Sequence, residues 1–539
     1  MNFRKTGAAL AATATLLSLA ACGSDTGSGS GSDSASNADG GTAGGGNYVI
    51  GNGTEPQNPL VPANTNERGG GKIIESLFAG LAYYDADGEL HNEIAESIEP
   101  NEDNTVFTVK LRDTKFSDGS PVTSSSFVDA WNYAVANDMN TAFFFEPIKG
   151  YEPGAESMEG LEVIDDHTFT ITLSQPQADF PMRLGYSTFS PLPDYAYDDI
   201  DAYGGEPVSN GPYKLADWVH NQEITLVPNP EYDGPREVHN DGLKIVFYAN
   251  DDAAYADLLA GNLDVLDTIP DSALAVFQDD LGDRAVTKAA AGFDGFAIPY
   301  SLEHFSGEEG TLRRHAISHA VDRKAISDSI FQGMREPAVD FTSSVLPGYS
   351  ADIENNDVFE YDPEKAKELW AQADEISPWD GEFIIGYNTD GGHQAWVEAA
   401  TNQLRNNLGI KAEGNPYPDF KSFRDEITNE TIGTAFRAGW KADYPSLDNF
   451  LSPLYASGAS ANDTGYHNPE FDALLKKAAS ASSQEESFKL YNQAQSVMMK
   501  DMPAIPMWYN SLAGGYSEAV DNVVFSWNGT PLYYAVSKK

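Results

Sequence analysis

The stretch from Leu243 to Leu266 does most to limit what this chain can fold into. Leu243 to Tyr248 is a nearly continuous apolar run that reads as a strand. Asp251 to Ala260 reads as a helix stopped by Gly261, and Leu263-Asp264-Val265-Leu266 as a short strand after it. Strand–helix–strand order points to an α/β sheet, with Tyr48-Val49-Ile50 as its first strand. The intervening residues, roughly 84–204, then form an inserted domain.

Several further elements are legible. Lys72 to Gly80 reads as a helix with Ile73, Ile74, Leu77 and Phe78 on one apolar face. Phe107, Val109 and Leu111 alternate with polar residues, as do Phe169, Ile171 and Leu173, so both runs read as half-buried strands. Asp118-Gly119 marks a turn, and a helix carrying Phe127, Val128 and Trp131 follows it. Thr311 to Gly333 is helical, with Asp322 as an N-cap where one helix gives way to another. Asp362-Pro363 opens another helix with Ala366, Leu369, Trp370 and Ala373 inward. Phe383 to Tyr387 reads as a strand, and Trp396, Ala400, Leu404 and Leu408 mark a helix closed by Gly409.

At 539 residues the chain exceeds one ordinary core, so two or three domains are expected. Against 33 Lys and Arg stand 82 Asp and Glu, a formal net charge of −49. That balance argues against nucleic acid, whose phosphates need neutralising, and against broad adsorption to anionic lipid. The single cysteine, Cys22, excludes an intrachain disulfide and a cysteine-rich metal site. Arg4 and Lys5 precede an apolar run of small residues from Ala8 to Ala21, the pattern of a secretory signal. From Gly23 to Gly46 there is no large apolar residue, so a flexible tether is expected.

The most concentrated chemistry lies in Arg437-Ala438-Gly439-Trp440-Lys441-Ala442-Asp443-Tyr444-Pro445. Arg437 can grip a carboxylate bidentately, Asp443 can hold an ammonium group, and Trp440 offers a flat apolar wall between them. Gly439 lets backbone or ligand approach closely. A free peptide carries one ammonium and one carboxylate, so the set matches its two ends. The alternative is an internal Arg437–Asp443 ion pair beside a core tryptophan. His315 and His319 stand at i and i+4, but Ala316 holds the place of a zincin glutamate, so buried or surface histidines are expected rather than a metal site. Tyr83 to Leu90 has some acids of a calcium loop, yet its glycine falls too early, and a hairpin turn is the better reading. No Gly-x-Ser-x-Gly elbow occurs and no phosphate-binding glycine loop follows a strand.

Four segments, in this order, resemble the oligopeptide-binding members of bacterial extracellular solute-binding family 5. They are Leu19-Ala20-Ala21-Cys22, Phe116-Ser117-Asp118-Gly119, Asn210-Gly211-Pro212-Tyr213, and the run from Arg437 to Pro445. The resemblance implies an α/β fold of the periplasmic-binding-protein type II, bilobal with an additional inserted domain. Residues 1–21 would be a lipoprotein signal peptide and 22–46 the lipidated Cys22 with its tether. Lobe I would comprise 47–83, 205–295 and 511–539, the inserted domain 84–204, and the other lobe 296–510. Asp443 is then expected to hold a peptide's ammonium, and Arg437 with His393 its carboxylate. Trp440, Phe420 and Tyr444 would line the site. Where relatives place a hydrogen-bonding tyrosine, this chain has Phe143-Phe144-Phe145, for which a core role is expected.

The implied function is capture of oligopeptides for ABC permease subunits with associated ATPases. The protein is expected to be a monomer on the extracytoplasmic face, attached to the membrane by lipid, without catalytic residues, cofactor, metal or nucleic acid. Two other readings remain open: the same fold holding a dipeptide, oligosaccharide, nickel or haem, and a secreted hydrolase.

Overall fold

A computed structural model describes residues 47–539 apart from 460 and 482. The expected signal, Cys22 and the tether therefore lie outside the described residues. A mixed sheet, ten-stranded among the described residues, forms the frame. Its strands are β1 (Val49–Gly53), β2 (Tyr213–Val219), β3 (Glu223–Pro228), β4 (Leu243–Phe247) and β5 (Val265–Leu266), then β6 (Ala285–Ala297), β7 (Glu382–Asn388), β8 (Lys411–Tyr417), β9 (Ala435–Lys441) and β10 (Ala504–Tyr516). Across the sheet the order is β8-β7-β9-β6-β10-β5-β1-β4-β3-β2.

The strand–helix–strand unit forms as read. β4 and β5 both pair in parallel with β1, through Val49 opposite Leu243 and Gly51 opposite Val265. The intervening helix spans Asp251–Ala260, its first turn capped by the Asn250 side chain and its end closed by Gly261 at φ 77°. β5 keeps only the last two residues of the expected Leu263–Leu266 strand.

β6 and β10 are each 13 residues long and run antiparallel beside one another. β10 also pairs with β5 at one end, and β6 with β9 at the other, so these two strands carry the sheet from one half of the molecule into the other. Their register breaks between Ala289 and Phe293, opposite Ser511 and Tyr509. Two large apolar cores result: one gathers Phe296, Phe383, Trp396 and Trp508, the other Val49, Ile73, Phe107 and Trp131.

Within residues 84–204 a four-stranded antiparallel sheet orders Ala95–Pro100, Val106–Leu111, Thr168–Thr172 and Leu161–Asp165. The inward alternation of Phe107, Val109, Phe169 and Ile171 packs it on the helix Ser124–Ala136 through Phe127 and Trp131. Phe144 and Phe145 join this core, as expected, while Phe143 is exposed.

One helix differs from its reading. The segment expected over Lys72–Gly80 is helical over Arg68–Leu77. Gly69-Gly70-Gly71 concealed its start, because glycine is a poor helix former. Two of the glycines are there for space: a Cβ would lie 2.4 Å from Thr54 Oγ1 at Gly69 and 2.5 Å from Glu67 Oε1 at Gly70. Glu67 caps the helix by accepting from the Gly70 N–H. At the other end Asn210 binds both backbone groups of Ala79, pulling the chain out of the helix.

The caps at Asp322 and Asp362 and the closing Gly409 are as read. His315 Nε2 and His319 Nδ1 meet the backbone carbonyls of Lys500 and Glu360 at 2.9 and 2.8 Å, which orients the two rings. The expected hairpin joins Ala82–Tyr84 to Leu90–Asn92. Its turn brings ligating atoms of Asp85, Glu89 and His91 within 4.8 Å of one another. Asp85 is committed there, to His91 Nε2 and to the N–H groups of Asp87 and Glu89.

Candidate ligand-binding site

A cavity of about 700 Å³ opens between the sheet, the helix Arg68–Leu77, and the segments around Tyr84, Tyr186 and Trp527. β9 forms one wall. Its antiparallel pairing with β6 sets Arg437 opposite Phe296, Gly439 opposite Asp294, and Lys441 opposite Gly292. Strand alternation thus turns Arg437 and Lys441 to one face, and Ala438 and Trp440 to the other. Arg437, Gly439, Trp440, Lys441 and Asp443 all line the cavity.

Asp443 follows the end of β9 and is positioned by Asn449, in the helix Asp448–Tyr455. Asn449 Oδ1 accepts from the Asp443 N–H at 3.0 Å and from Trp440 Nε1 at 3.1 Å, while its Nδ2 donates to Asp443 Oδ2 at 3.1 Å. One buried amide, 2% exposed, therefore fixes both the indole and the carboxylate. The alternative reading, an internal Arg437–Asp443 ion pair, is not seen among the described residues. No lysine or arginine of the described residues reaches Asp443 within ion-pair distance. Burial lifts its carboxyl to about 6, against the Asn449 hydrogen bond and the more distant charge of Arg183.

Asp267, in the same cavity, is a useful contrast. It meets Lys72 Nζ at 2.5 Å and Arg68 at 3.2 Å and accepts from Asn52 at 2.8 Å. Desolvation is outweighed there by Lys72 and Arg68, and the carboxyl falls to about 2. Asp267 therefore stabilises the fold above the unfolded carboxylate range, and that contribution is lost progressively as pH falls from 3.8 to about 2. One acid is internally neutralised and the other is left needing a cation. Glu75, on the opposite wall, is open to the cavity: desolvation between the walls raises it to about 7, opposed by Arg236 and Lys72. Arg236 is itself committed to Glu93 at 2.6 Å, and water in the open cavity screens Glu75 further. Asp443 and Glu75 both raise the pKa of Tyr186, after burial itself, so a cation entering here meets two carboxylates and a phenol.

The other expected site residues fall into two groups. Arg437 Nε donates to Asn388 Oδ1 at 2.8 Å, and the guanidinium lies 5.0 Å from the Phe420 ring and 5.4 Å from that of Phe423. A Cβ on Gly391 would lie 2.5 Å from His393 Nε2 and 2.7 Å from Asn388 Nδ2, so His393 shares this corner. Its Nδ1 accepts from Trp396 Nε1 at 3.2 Å. Arg437, Phe420 and His393 are thus brought together at the end of β7, though neither Phe420 nor His393 lines the main cavity. Phe420 instead borders an adjoining apolar pocket of about 260 Å³ with Phe293, Phe423 and Trp440.

Tyr444 turns away from the cavity altogether. It is 2% exposed, stacks under the Arg183 guanidinium at 5.0 Å, and points its hydroxyl toward Asp448. None of Phe143, Phe144 and Phe145 lines the cavity either; Phe144 stacks on Tyr186, which does.

Gly439 has a specific steric duty. A Cβ there would lie 2.6 Å from Asp294 Oδ1 and 2.9 Å from the Phe293 carbonyl oxygen. Gly439→Ala is expected to cost about 1–3 kcal/mol through overpacking, read as a lowered urea midpoint. An unchanged midpoint would show that β6 and β9 separate freely.

The fold is that of a bilobal type II periplasmic binding protein with an inserted domain. The sequence profile of the bacterial extracellular solute-binding proteins, family 5, matches residues 89–462, more than half of the chain, and the protein belongs to that family. It is 27% identical to the oligopeptide-binding protein OppA of Bacillus subtilis, over 88% of this chain and 90% of that one. It is 29% identical to the periplasmic oligopeptide-binding protein OppA of Salmonella typhimurium, over 88% and 91%. Among solved structures, the unliganded open form of the periplasmic murein tripeptide-binding protein MppA superposes with a TM-score of 0.78 at 22% identity, covering 92% of this chain and 98% of that one. Haemophilus influenzae OppA, in complex with the peptide RPPGFSPFR, gives 0.72 at 24%, covering 92% and 99%. At these identities the structural likeness concerns the fold. No helix of the described residues is long and apolar enough to cross a membrane.

Proposed function

We propose that this protein is the extracytoplasmic substrate-binding component of an ABC importer and that it captures oligopeptides by their free amino terminus. One observation carries the reading: Asp443 is a half-buried carboxylate on the wall of a cavity of about 700 Å³, held by a neutral amide, with no lysine or arginine of the described residues within ion-pair distance. A bound ammonium group supplies that cation. Trp440, fixed by the same amide, packs against the ligand, while Arg437 with Phe420 and His393 forms the corner that receives the peptide's far end or its carboxylate. Hydrogen bonds to peptide backbone are common to all sequences, so selectivity can be broad. Tyr444 acts indirectly, by anchoring the segment that carries Asp443.

Lobe I comprises residues 47–83, 205–295 and 511–539, the inserted domain 84–204, and the other lobe 296–510. Both crossings between lobes lie in or at the ends of β6 and β10, close to their register break, and that break supports a hinge there. Ligand contacting both walls favours the closed arrangement, which the permease and its ATPases then recognise. The segment 1–46 supplies export, lipidation of Cys22 and the tether, so the protein, a monomer, works lipid-anchored on the extracytoplasmic face of the cell membrane.

Calorimetry with a short peptide and its amino-acetylated form tests the central claim. Acetylation removes the charge, and binding should fall at least ~100-fold, the scale expected when a buried pair is broken. Equal affinity for the two forms would exclude Asp443 as the ammonium partner. A pH series provides a second check. Since the ligand needs Asp443 ionised, affinity should drop about tenfold between pH ~7 and pH ~5, as a carboxyl of pKa near 6 takes up its proton. Affinity constant across that range would contradict the assignment.

A further inference from the structure

Lys441 is the charged residue of the cavity wall that the peptide-capture reading leaves without a task. It ends β9 on the same face as Arg437, and its cross-strand neighbour is Gly292, which offers no side chain to pack or pair with it. The space above Gly292 is taken by the Asn510 amide, since a Cβ there would lie 2.4 Å from Asn510 Nδ2. Lys441 is exposed, lines the cavity, and makes no hydrogen bond or ion pair among the described residues. The acids nearest to it are already engaged: Asp267 holds Lys72 and Arg68, and Asp294 holds Arg335 at 3.1 Å. Lys441 thus adds a further cation beside two carboxylates that already have partners.

We propose that the Lys441 ammonium is an anion-recognition point, which selects ligands bearing a carboxylate close to the ammonium group held by Asp443. The proposal rests on the peptide-capture reading and adds a preference to it. Asp443 stands two residues beyond Lys441, where the chain bends out of β9, so their Cα atoms are at most about 7 Å apart. An extended ligand anchored at Asp443 therefore brings its second residue alongside Lys441. The carboxylate is either an acidic side chain at that second position or the terminal carboxylate of a dipeptide. Desolvation between the cavity walls lowers the Lys441 pKa, helped by Arg68 and opposed by Asp294 and Asp267, and an incoming anion favours the charged form.

The test is calorimetry on the full chain with two pairs of ligands. The first pair is carboxy-amidated Ala-Glu-Ala-Ala and Ala-Gln-Ala-Ala; the second is Ala-Ala with a free or an amidated carboxyl. The wild type is expected to bind the carboxylate member of at least one pair about tenfold more tightly, a gain typical of a charge-assisted bond in a partly solvated site. The pair that shows the gain identifies which carboxylate is read. Lys441→Gln should reduce that member to the affinity of its neutral partner, and Lys441→Glu should make Ala-Lys-Ala-Ala, also amidated, the preferred tetrapeptide. Thermal unfolding of both variants checks that they remain folded. Absence of discrimination in both pairs, or discrimination that survives Lys441→Gln, overturns the proposal. If no ligand with a free amino terminus binds at all, peptide capture itself fails, and this preference fails with it.

Discussion

Asp443→Asn is expected to weaken binding of a free-amino peptide by roughly 10²- to 10⁴-fold, ~3–5 kcal/mol, the penalty for removing one partner of a buried pair. The same substitution should leave the unliganded protein as stable as the wild type or more so. Asp443 is raised to about 6 from an ordinary value of 3.8, so the folded state binds its proton more tightly than the unfolded chain does. Ionisation at neutral pH therefore costs the empty protein up to about 3 kcal/mol, a cost that fades as pH falls through 6. Asparagine is nearly isosteric and removes the charge, while its carbonyl oxygen can still accept from Asn449 Nδ2. Calorimetry and thermal unfolding read the two effects separately. Loss of binding together with a large drop in unfolding temperature would mean that Asp443 is structural, and the functional reading would fail.

The second large effect is on stability. Arg183 lies 3.2 Å from Asp448 Oδ2 and stacks over Tyr444, while the buried Asp179 beside it accepts from Ser446 at 3.1 Å and Tyr491 at 3.3 Å. This network ties residues 179–183 of the inserted region to the segment carrying Asp443 and to the helix Gln484–Asp501. Burial and the charge of Asp448 raise Asp179 to about 6 even with Arg183 present. Arg183→Met should leave two buried carboxylates without a cation and destabilise the protein by ~3–5 kcal/mol in urea titration near pH ~8. Because Arg183 lowers the Asp179 pKa, its removal lifts that carboxyl above about 6, so the deficit should shrink as pH falls from ~8 toward about 6 and Asp179 takes up its proton in the variant. A deficit independent of pH would point to lost packing on Tyr444 instead.

The residues of the site divide by how far apart their parts lie in the chain. Arg437, Trp440 and Asp443 were legible because a local run carries them, and all three line the cavity. Asn449, the amide that orients two of them, stands only six residues on but has no chemical signature of its own. Glu75, Tyr186 and Asp294 reach the site from distant segments, and no local pattern marks them. Tyr444 shows the opposite hazard, since adjacency to Asp443 says nothing about direction, and the bend after β9 sends its ring into the core.

The sequence alone settled the α/β character, the helix from Asp251 to Ala260, the caps at Asp322 and Asp362, and the charged run at 437–443, because each depends on contacts within a few residues. Only the tertiary structure revealed that β6 and β10 are single long strands shared by both halves of the sheet. β6 is rich in alanine and glycine, and its pairing comes from residues more than a hundred positions away. It alone, too, could distinguish Asp267, neutralised from within, from Asp443, left for a ligand. Both are aspartates in the sequence, and their opposite pKa shifts arise from burial together with which cations the fold brings within a few ångströms.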